Sequence, residues 1–208
     1  HRVDIGGPIG NFHGYRSVDI DANGLWIIEG ADGKPKPYTQ ARQEDKKILG
    51  NGLPKYYAGW NNTVRYKNFD LSVLMRGAFG FQILNFQRMF YENSQPQILG
   101  NYNVLLSAFD NVYGKTRLRN PQAYVSYYIE NGDYWKVDNI TLGYNVNLKS
   151  NKYVKSLRIY ASGLNMFTIT GYKGIDPEIN QGGASLGVDY NSFYPKTRTV
   201  LLGVSVGF

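Results

Sequence analysis

The sequence contains no cysteine and only two histidines, His1 and His13, in 208 residues. Without cysteine the chain forms no disulfide and offers no thiolate ligand to a metal. Two histidines cannot build a histidine-rich metal cluster, and no cysteine is present to pair with either of them. Asp176 and Glu178 are carboxylates of the kind that glycosidases pair, but the sequence does not fix their separation in space. We therefore expect no enzymatic activity and no catalytic residue.

Long hydrophobic runs are also absent. No stretch approaches 18 consecutive apolar residues, which excludes a transmembrane helix. The mean hydropathy of −0.40 is typical of a soluble protein. A membrane β-barrel remains compatible with this value, because only every second residue of its strands faces lipid and the hydropathy averages out.

Charge of either sign is not concentrated anywhere. The net charge of +7 arises from 23 basic and 16 acidic residues. The basic residues form only small groups, at Lys46 and Lys47 and at Lys149, Lys152 and Lys155. Scattered charges of this kind indicate solvated turns, so we expect no nucleic-acid partner.

The first residues, 1–4, include no initiator methionine and no basic-then-apolar leader, so we expect a fragment or a processed chain. What the sequence does have is 18 tyrosines, 10 phenylalanines, 3 tryptophans and 24 glycines. With little helical periodicity, this composition predicts an all-β protein.

The last stretch, 195–208, gives the clearest strand signal. Apolar side chains alternate there with small, mostly polar ones, which is the period of a β-strand. At about 10 residues it is long enough to cross a bilayer when tilted. One face carries Arg198, Val200, Leu202, Val204, Val206 and Phe208.

Residues 55–79 alternate in the same way and predict a hairpin. The tight turn is Lys67-Asn68, between a strand that ends at Tyr66 and one that begins at Phe69. One face is rich in aromatic and aliphatic side chains. The polar face of this hairpin includes Asn61, Arg65, Asp70, Ser72 and Arg76.

Further strands are predicted at 132–148 and 156–167, before the final strand. The connections alternate long, short, long, short, long, which is typical of outer-membrane barrels with long external loops and short periplasmic turns. Aromatic residues at strand ends are expected to form two interfacial girdles. They are Tyr56, Tyr66, Phe69, Phe79, Tyr134, Trp135, Phe167 and Phe208.

Two segments outside these strands carry other signals. Within the long connection 80–132, apolar residues recur at helical spacing and predict a short amphipathic helix with Asn103 as its N-cap. These residues are Val104, Leu105, Ala108, Phe109 and Val112.

The segment 19–30 resembles the opening of a calcium loop. Asp19, Asp21 and Asn23 supply alternating oxygen ligands, and Gly24 follows for the sharp turn. The twelfth position, which should be a bidentate glutamate, is Gly30. Calcium is therefore a weak hypothesis, and a simple Asx-rich turn is the alternative.

Six segments in order resemble SusC/RagA-type TonB-dependent outer-membrane transporters of Bacteroidetes, in their C-terminal barrel portion. The resemblance covers nearly the whole chain, 1–208. Its motifs are Asn51–Trp60, Tyr66–Leu71, Gly132–Tyr144, Asn165–Thr168, Gly174–Glu178 and Tyr194–Arg198.

This resemblance implies an antiparallel transmembrane β-barrel of about 22 strands with a plugged lumen. The chain would supply the last six or seven strands as part of one barrel domain. The plug and the region that contacts TonB would lie upstream. The implied partners are a SusD-like surface lipoprotein, TonB, the rest of the barrel and outer-membrane lipid, and the implied activity is active import of oligosaccharides or, in some members, of peptides.

The same reading assigns roles to residues. Polar side chains of alternating strands face the barrel lumen, so we expect Asn61, Arg65, Asp70, Ser72 and Arg76 to contact plug or substrate, with plug packing or solvation as the plainer alternative. The terminal residues Val204, Val206 and Phe208 resemble the outer-membrane insertion signal. Two other classes stay open: a soluble carbohydrate-binding β-sandwich, and a structural barrel without transport.

Overall fold

The computed structural model describes residues 2–92, 103–119, 122–148, 153–179, 182–183, 185–190, 194 and 196–208. The strands in chain order are β1 Asn11–Gly14, β2 Ser17–Ile20, β3 Trp26–Glu29, β4 Pro35–Pro37, β5 Lys47–Asn51, β6 Tyr56–Tyr66, β7 Phe69–Phe79, β8 Gln82–Asn85, β9 Ile129–Asn131, β10 Tyr134–Val146, β11 Ser156–Thr170, β12 Val188–Asp189 and β13 Thr199–Gly207. The helix assigned within the described residues is α1, Phe86–Tyr91, and short 3-10 turns lie at Tyr38–Gln40, Gln43–Asp45, Leu106–Phe109 and Ser126–Tyr128. No helix in this part of the chain is long and apolar enough to cross a membrane.

The chain divides into two compact units. The sheet unit contains Lys55–Phe79, Asp133–Gly171 and Pro195–Phe208. The loop unit contains His1–Pro54, Gly80–Gly132 and Tyr172–Tyr194. The expectation of one barrel domain over 1–208 stays a prediction.

The sheet unit is built on one antiparallel sheet with the strand order β13-β11-β10-β7-β6. The all-β, antiparallel prediction is confirmed. Among the described residues this sheet has five strands, fewer than the six or seven expected. The difference arises because β1, β2 and β3 pair in two small sheets of the loop unit rather than extending the large one.

The hairpin of β6 and β7 has the predicted bounds. The two strands pair in register from Tyr56 opposite Phe79 to Tyr66 opposite Phe69. Lys67 adopts a φ of 53°, in the left-handed region that a two-residue hairpin turn requires. The turn is therefore as tight as the sequence indicates.

The two faces of the large sheet differ in chemistry, and the difference extends across all five strands. We call them the apolar face and the polar face, after the side chains of their central rows. One row of the apolar face is Val64, Leu71, Leu142, Ala161 and Leu202, in register across the five strands. The adjacent row of the polar face is Thr63, Ser72, Thr141, Ser162 and Leu201. The apolar row is open to the surroundings, since Val64 is 56% exposed, Leu142 51% and Leu202 84%.

The register of β10 shifts once, between Val137 and Asn139. Val137 lies opposite Met75 and Asn139 opposite Leu74, so Asp138 is an extra residue, as in a β-bulge. Before the bulge the odd-numbered residues of β10 lie on the apolar face, and after it the even-numbered ones do. Apolar side chains therefore stay on the apolar face on both sides of the bulge.

Most of the predicted girdle residues lie near the two ends of the sheet. Tyr66 and Phe69 are at the tight-turn end, where the Phe69 ring lies 4.8 Å from that of Tyr144 between centroids. Tyr56 and Phe79 are at the other end. Tyr134 departs from the expectation, because it pairs with Ala78 on the polar face and is only 8% exposed.

The loop unit has its own hydrophobic core. Phe12, Ile20, Trp26, Ile28 and Val125 are among its fully buried members. They come from the short strands and from the 122–132 segment, so this unit does not depend on the large sheet for a core. Burial of this kind indicates an ordered structure, as expected from the aromatic content of the long connections.

The helix predicted around residues 103–112 is wrong. The chain makes one 3-10 turn, Leu106–Phe109, and its N-cap is Leu105 rather than Asn103. Leu105 is extended, with ψ at 147°, and its amide donates to the carbonyl of Tyr91 at 3.0 Å. That bond to a distant segment replaces the local bonds a helix needs. The described α-helix, Phe86–Tyr91, lies earlier and is capped by Asn85, whose side chain accepts from the Arg88 amide.

Candidate functional site: the polar face of the large sheet

The structure brings the polar residues of the hairpin to one face. Arg65 lies opposite Asp70, Thr63 opposite Ser72 and Asn61 opposite Leu74. Arg76 shares this face, opposite Gly59. The five predicted residues are therefore neighbours on the polar face. Their role in contacting plug or substrate stays a prediction.

Asp70 is the centre of a hydrogen-bonded network on this face. Arg158 on β11 donates to Asp70 twice, from Nε to Oδ1 at 3.0 Å and from Nη2 to Oδ2 at 2.5 Å. Asn145 on β10 donates from Nδ2 to Asp70 Oδ1 at 3.2 Å. Two-point contacts of this type fix both position and orientation of the guanidinium.

Two glycines make room for this network. Gly143 lies in the same row as Asp70, and a Cβ there would be 2.4 Å from Arg158 Nη2. Gly203 lies opposite Tyr160, and a Cβ there would be 2.2 Å from the Tyr160 ring. The guanidinium carbon of Arg158 is 5.0 Å from the Tyr160 ring centroid, within cation–π range. The long side chains of β11 thus lie down over the two neighbouring strands.

The row of hydroxyls beside the network is also paired. Thr141 and Ser162 hydroxyls are 2.7 Å apart, and the Thr141 hydroxyl also donates to Asn139 Oδ1 at 2.8 Å. Thr63 donates to Ser72 at 3.4 Å. Cross-strand hydroxyl pairs of this kind stabilise the pairing of adjacent strands.

Arg76 has a partner that the sequence did not indicate. Its Nε donates to Asp138, the bulge residue of β10. The bulge therefore redirects a carboxylate toward the polar face, beside a predicted lumen-facing arginine.

Arg158, Asn145, Tyr160 and Gly143 were missed as site residues. The alternation of their strands already placed Asn145 with Gly143 and Arg158 with Tyr160 on common faces. The sequence does not reveal that β7 pairs with β10. That pairing brings Asp70 close to Arg158 of the next strand, β11, although the two residues are 88 positions apart. Strand pairing over that distance has no local signal.

The predicted insertion-signal residues lie on the apolar side of the last strand. Val204 pairs with Ile159 and Val206 with Leu157. They are 62% and 45% exposed, and Phe208 is 79% exposed. The exposure leaves them open to a binding partner, and their role as a signal stays a prediction.

The calcium hypothesis finds a turn at its position. The Asp21 carboxylate accepts from the amides of Asn23, at 2.9 Å, and Leu25, at 2.8 Å. Asp19 forms an ion pair with Lys115, whose hydrogen bond holds the pKa of that carboxyl below its usual range. Asp21 thus forms an Asx turn, and the calcium hypothesis stays a prediction. Among the described residues, no group of three or more His, Asp and Glu side chains is arranged to hold a metal.

The loop unit contains a buried ionic cluster. Arg88, 7% exposed, donates from Nη2 to Glu92 Oε1 at 2.9 Å and from Nη1 to Glu130 Oε1. Its guanidinium lies 5.0 Å from the ring centroid of Tyr127. Burial lowers the pKa of Arg88, but the hydrogen bonds to both carboxylates more than offset this and raise it above its usual value. The ion pair of Arg88 with Glu92 could be predicted from the sequence, because residues four positions apart are neighbours on a helix. The contact with Glu130 could not be predicted in this way.

A second buried pair lies in the same unit. Tyr172 donates its hydroxyl to Asp189 Oδ2 at 2.5 Å. Burial raises the pKa of both side chains. This pair is a structural contact between the segment after β11 and strand β12.

The chain is similar to known proteins both in sequence and in fold. TonB-dependent receptor P3 of Formosa agariphila is 28% identical over 233 aligned residues, which cover 98% of this chain and 22% of that protein. TonB-dependent receptor SusC of Bacteroides thetaiotaomicron is 32% identical over 200 residues, 91% of this chain and 17% of SusC. The solved RagAB peptide transporter matches 97% of this chain and 23% of its own with a TM-score of 0.79 and 20% sequence identity. No family model matches the sequence.

The chain spans about a fifth of the length of the curated relatives it matches. Its likeness to the RagAB transporter is a likeness of fold, since the identity is low. The fold comparison covers both units, because nearly the whole chain is included in the match.

Proposed function

Because the chain is a portion of a TonB-dependent receptor of the SusC/RagA type, we propose that it forms part of the barrel wall of an outer-membrane nutrient importer. The observation that carries this proposal is the two-sided sheet, with an exposed apolar face and a hydrogen-bonded polar face. A wall between lipid and an aqueous lumen needs this arrangement. A soluble protein would cover an apolar face of five strands.

In this proposal the apolar face contacts lipid and the polar face lines the lumen. Arg65, Asp70, Ser72 and the Arg158 network would then border the transport path or the plug. The outer strands β6 and β13 each have one strand neighbour in the large sheet. Unpaired backbone groups in hydrocarbon cost several kcal/mol each. The sheet would therefore need the remaining barrel strands beside it.

The partners follow from the same assignment. The complete receptor would work with a SusD-like surface lipoprotein, which closes the external opening, and with TonB, which supplies energy through a region outside this chain. We place Val204, Val206 and Phe208 in the signal that directs barrel insertion. The terminal strand would present them to the assembly machinery from its apolar side.

Oligosaccharides are the proposed substrates, and peptides are the alternative. The resemblance of the sequence motifs to SusC/RagA-type transporters, which implies import of oligosaccharides, supports the first. The fold match to a peptide transporter supports the second. Both are polar, and both can be hydrogen-bonded by the arginines, hydroxyls and amides of the polar face. A soluble carbohydrate-binding sandwich is disfavoured by the exposed apolar rows.

Uptake by cells tests the proposal. The full-length receptor gene is deleted in its native host and restored on a plasmid, and uptake of labelled oligosaccharides and of labelled peptides is followed with and without a protonophore. Energy-dependent oligosaccharide uptake that returns with the gene supports the proposal. Return of peptide uptake alone selects the alternative substrate class. Return of neither, with the protein extracted by buffer without detergent, overturns the importer.

A further inference from the structure

The apolar face contains a groove near the end of the sheet that carries the long connections. Side chains of four adjacent strands line it: Trp60 of β6, Met75 of β7, Trp135 of β10 and Ile169 of β11. Its volume is about 350 Å³. We call it the tryptophan groove. All four lining residues are apolar apart from the indole N–H groups.

One row of the apolar face crosses the groove. Ala58, Gly77, Trp135 and Ile169 lie in register across the four strands. The Phe79 ring lies over Gly77, where a Cβ would be 2.7 Å from that ring and 2.5 Å from the carbonyl oxygen of Tyr134. The open part of the groove therefore lies beside Trp60, Met75, Trp135 and Ile169.

One wall of the groove is held by an aromatic contact. The Phe79 and Trp135 rings are 5.5 Å apart between centroids and meet edge to face, at 65°. Edge-to-face pairs of this type are favourable beyond the area they bury. The Trp135 ring is thus held in place before anything binds beside it.

The position of the groove along the strands matches a membrane interface. Trp60 is the fifth residue of β6 and Trp135 the second of β10, counted from ends that face the long connections. At about 3.3 Å per residue, both lie within about 15 Å of the strand ends. Tryptophan is favoured at this depth, because its ring is apolar and its N–H reaches the headgroup region.

We propose that the tryptophan groove binds one acyl chain of a bilayer lipid. This inference rests on the proposed function, since it requires the apolar face to contact lipid. A sugar or a peptide backbone would lose its hydrogen bonds to water in an apolar groove and regain almost none. The groove is open along the face, and its apolar lining can contact a hydrocarbon chain that lies along it. The groove opens on a face that is otherwise covered by the same lipid, so a chain enters it without leaving the bilayer.

The test uses the full-length receptor in liposomes that contain a phospholipid with a photoreactive diazirine on its acyl chain. After illumination, labelled positions are mapped by mass spectrometry. Label at Trp60, Met75, Trp135 and Ile169 is expected to exceed that at Leu71 and Leu142, on the same face, by about tenfold, which corresponds to about 1.4 kcal/mol of preference.

Two matched variants separate the groove from the face. Ala58→Phe adds a ring beside Trp60, in the row of Trp135 and Ile169, and is expected to abolish the excess label. Ala161→Phe adds the same ring elsewhere on the apolar face, opposite Leu142 and Leu202, and is expected to leave it. If Ala58→Phe does not reach the membrane, Trp60→Ala removes one wall and is expected to lower the excess label severalfold.

The outcomes distinguish failure of the lipid-binding groove from failure of the proposed function as a membrane barrel wall. Equal labelling along the whole apolar face, or an excess that survives Ala58→Phe, overturns the groove and leaves the membrane placement intact. Absence of label from the apolar face overturns both. Crosslinks from the groove to another protein would show that a protein partner occupies it, which also overturns the lipid assignment.

Discussion

Arg158 reaches over Gly143 on the neighbouring strand to hold Asp70 two strands away. The two hydrogen bonds, 3.0 and 2.5 Å long, cross the position that a side chain at residue 143 would fill. One ion pair thus links β7 and β11 across β10. The polar face gains a contact between strands that do not pair directly.

Gly143→Ala is expected to break this link. The added Cβ would lie 2.4 Å from Arg158 Nη2 and 2.6 Å from Asp70 Oδ1, so the guanidinium must move. Forcing extra atoms into a filled site costs about 1–3 kcal/mol. The readout is the temperature at which the full-length barrel loses its compact, heat-modifiable migration in SDS gels. Gly59→Ala is the control: it adds the same methyl to the same face, where the nearest atom is 4.0 Å away. Equal loss in both variants contradicts the prediction.

The ion pair itself is tested by a double-mutant cycle. Asp70→Asn and Arg158→Gln are each expected to lower the melting temperature of the full-length receptor in detergent, because each leaves the other charge without its partner. The double variant should cost less than the sum of the two single changes. Additive losses would mean that the two side chains stabilise the sheet independently. Arg158→Lys is expected to restore only part of the effect, since an ammonium cannot make the two-point contact.

Two adjacent leucines of the last strand report which face meets lipid. Leu202 lies on the apolar face and is 84% exposed, whereas Leu201 lies on the polar face opposite Ser162. Leu202→Arg is expected to cost about 2–4 kcal/mol, the penalty for arginine on a lipid face near the midplane. Leu201→Arg should be tolerated. The measurement is the amount of full-length receptor in purified outer membranes. Similar levels of the two variants would remove the lipid assignment of the apolar face.

The buried cluster of the loop unit should be far more sensitive than a surface pair. Arg88→Met leaves Glu92 and Glu130 buried without their cation, and breaking a buried ion pair in this way costs about 3–5 kcal/mol. The matched change Arg42→Met removes an exposed contact to Glu44, 3.5 Å long, and should cost less than about 1 kcal/mol. Hydrogen exchange of segment 122–132 in the full-length receptor measures the difference. Protection that survives Arg88→Met would contradict a structural role for the cluster.

Asp45 predicts a pH dependence in the loop unit. A hydrogen bond from Lys36, 2.5 Å away, and bonds from the amides of Arg42 and Ala31 lower the pKa of Asp45 to about 2. A carboxyl whose pKa is lower in the folded state stabilises the fold above its unfolded pKa, near 4, and this contribution is lost as pH falls through 2.

Hydrogen exchange at the amides of Ala31 and Arg42, corrected for the intrinsic rate, measures this contribution. Protection is expected to decrease between pH 4 and pH 2, and Asp45→Asn should remove the decrease by lowering protection already at pH 7. Asp32→Asn is the control, since Asp32 accepts one exposed bond from the Lys34 amide. A decrease centred above pH 5 would assign the titration to another group.

Local patterns in the sequence predicted the parts of the fold that are local. The bounds of the β6–β7 hairpin follow from alternation and a two-residue turn, both readable within 25 residues. The same alternation placed Asn61, Arg65 and Asp70 on one face. The partner of Asp70 was not readable, because Arg158 becomes its neighbour only through the order of the strands.

The prediction of a helix around residues 103–112 failed for a physical reason. Apolar residues from Val104 to Val112 have helical spacing, but the same spacing occurs in a segment held by distant contacts. The Leu105 amide bonds to Tyr91, and Ala108 and Val112 are buried as part of an irregular segment. Tertiary contacts outweigh a weak local preference in such a short stretch.

The bulge at Asp138 has a consequence for how this wall can change in evolution. Within a two-sided strand, gain or loss of one residue turns every later side chain to the opposite face. Asp138 absorbs such a residue, so that Val137 and Ile140 share the apolar face although they are three positions apart. Single-residue insertions and deletions are therefore compatible with this point and with the long connections, but not with Tyr56–Tyr66. In the proposed barrel wall, the alternation of side chains between the two faces is therefore constrained more strictly than the amino-acid composition of the strands.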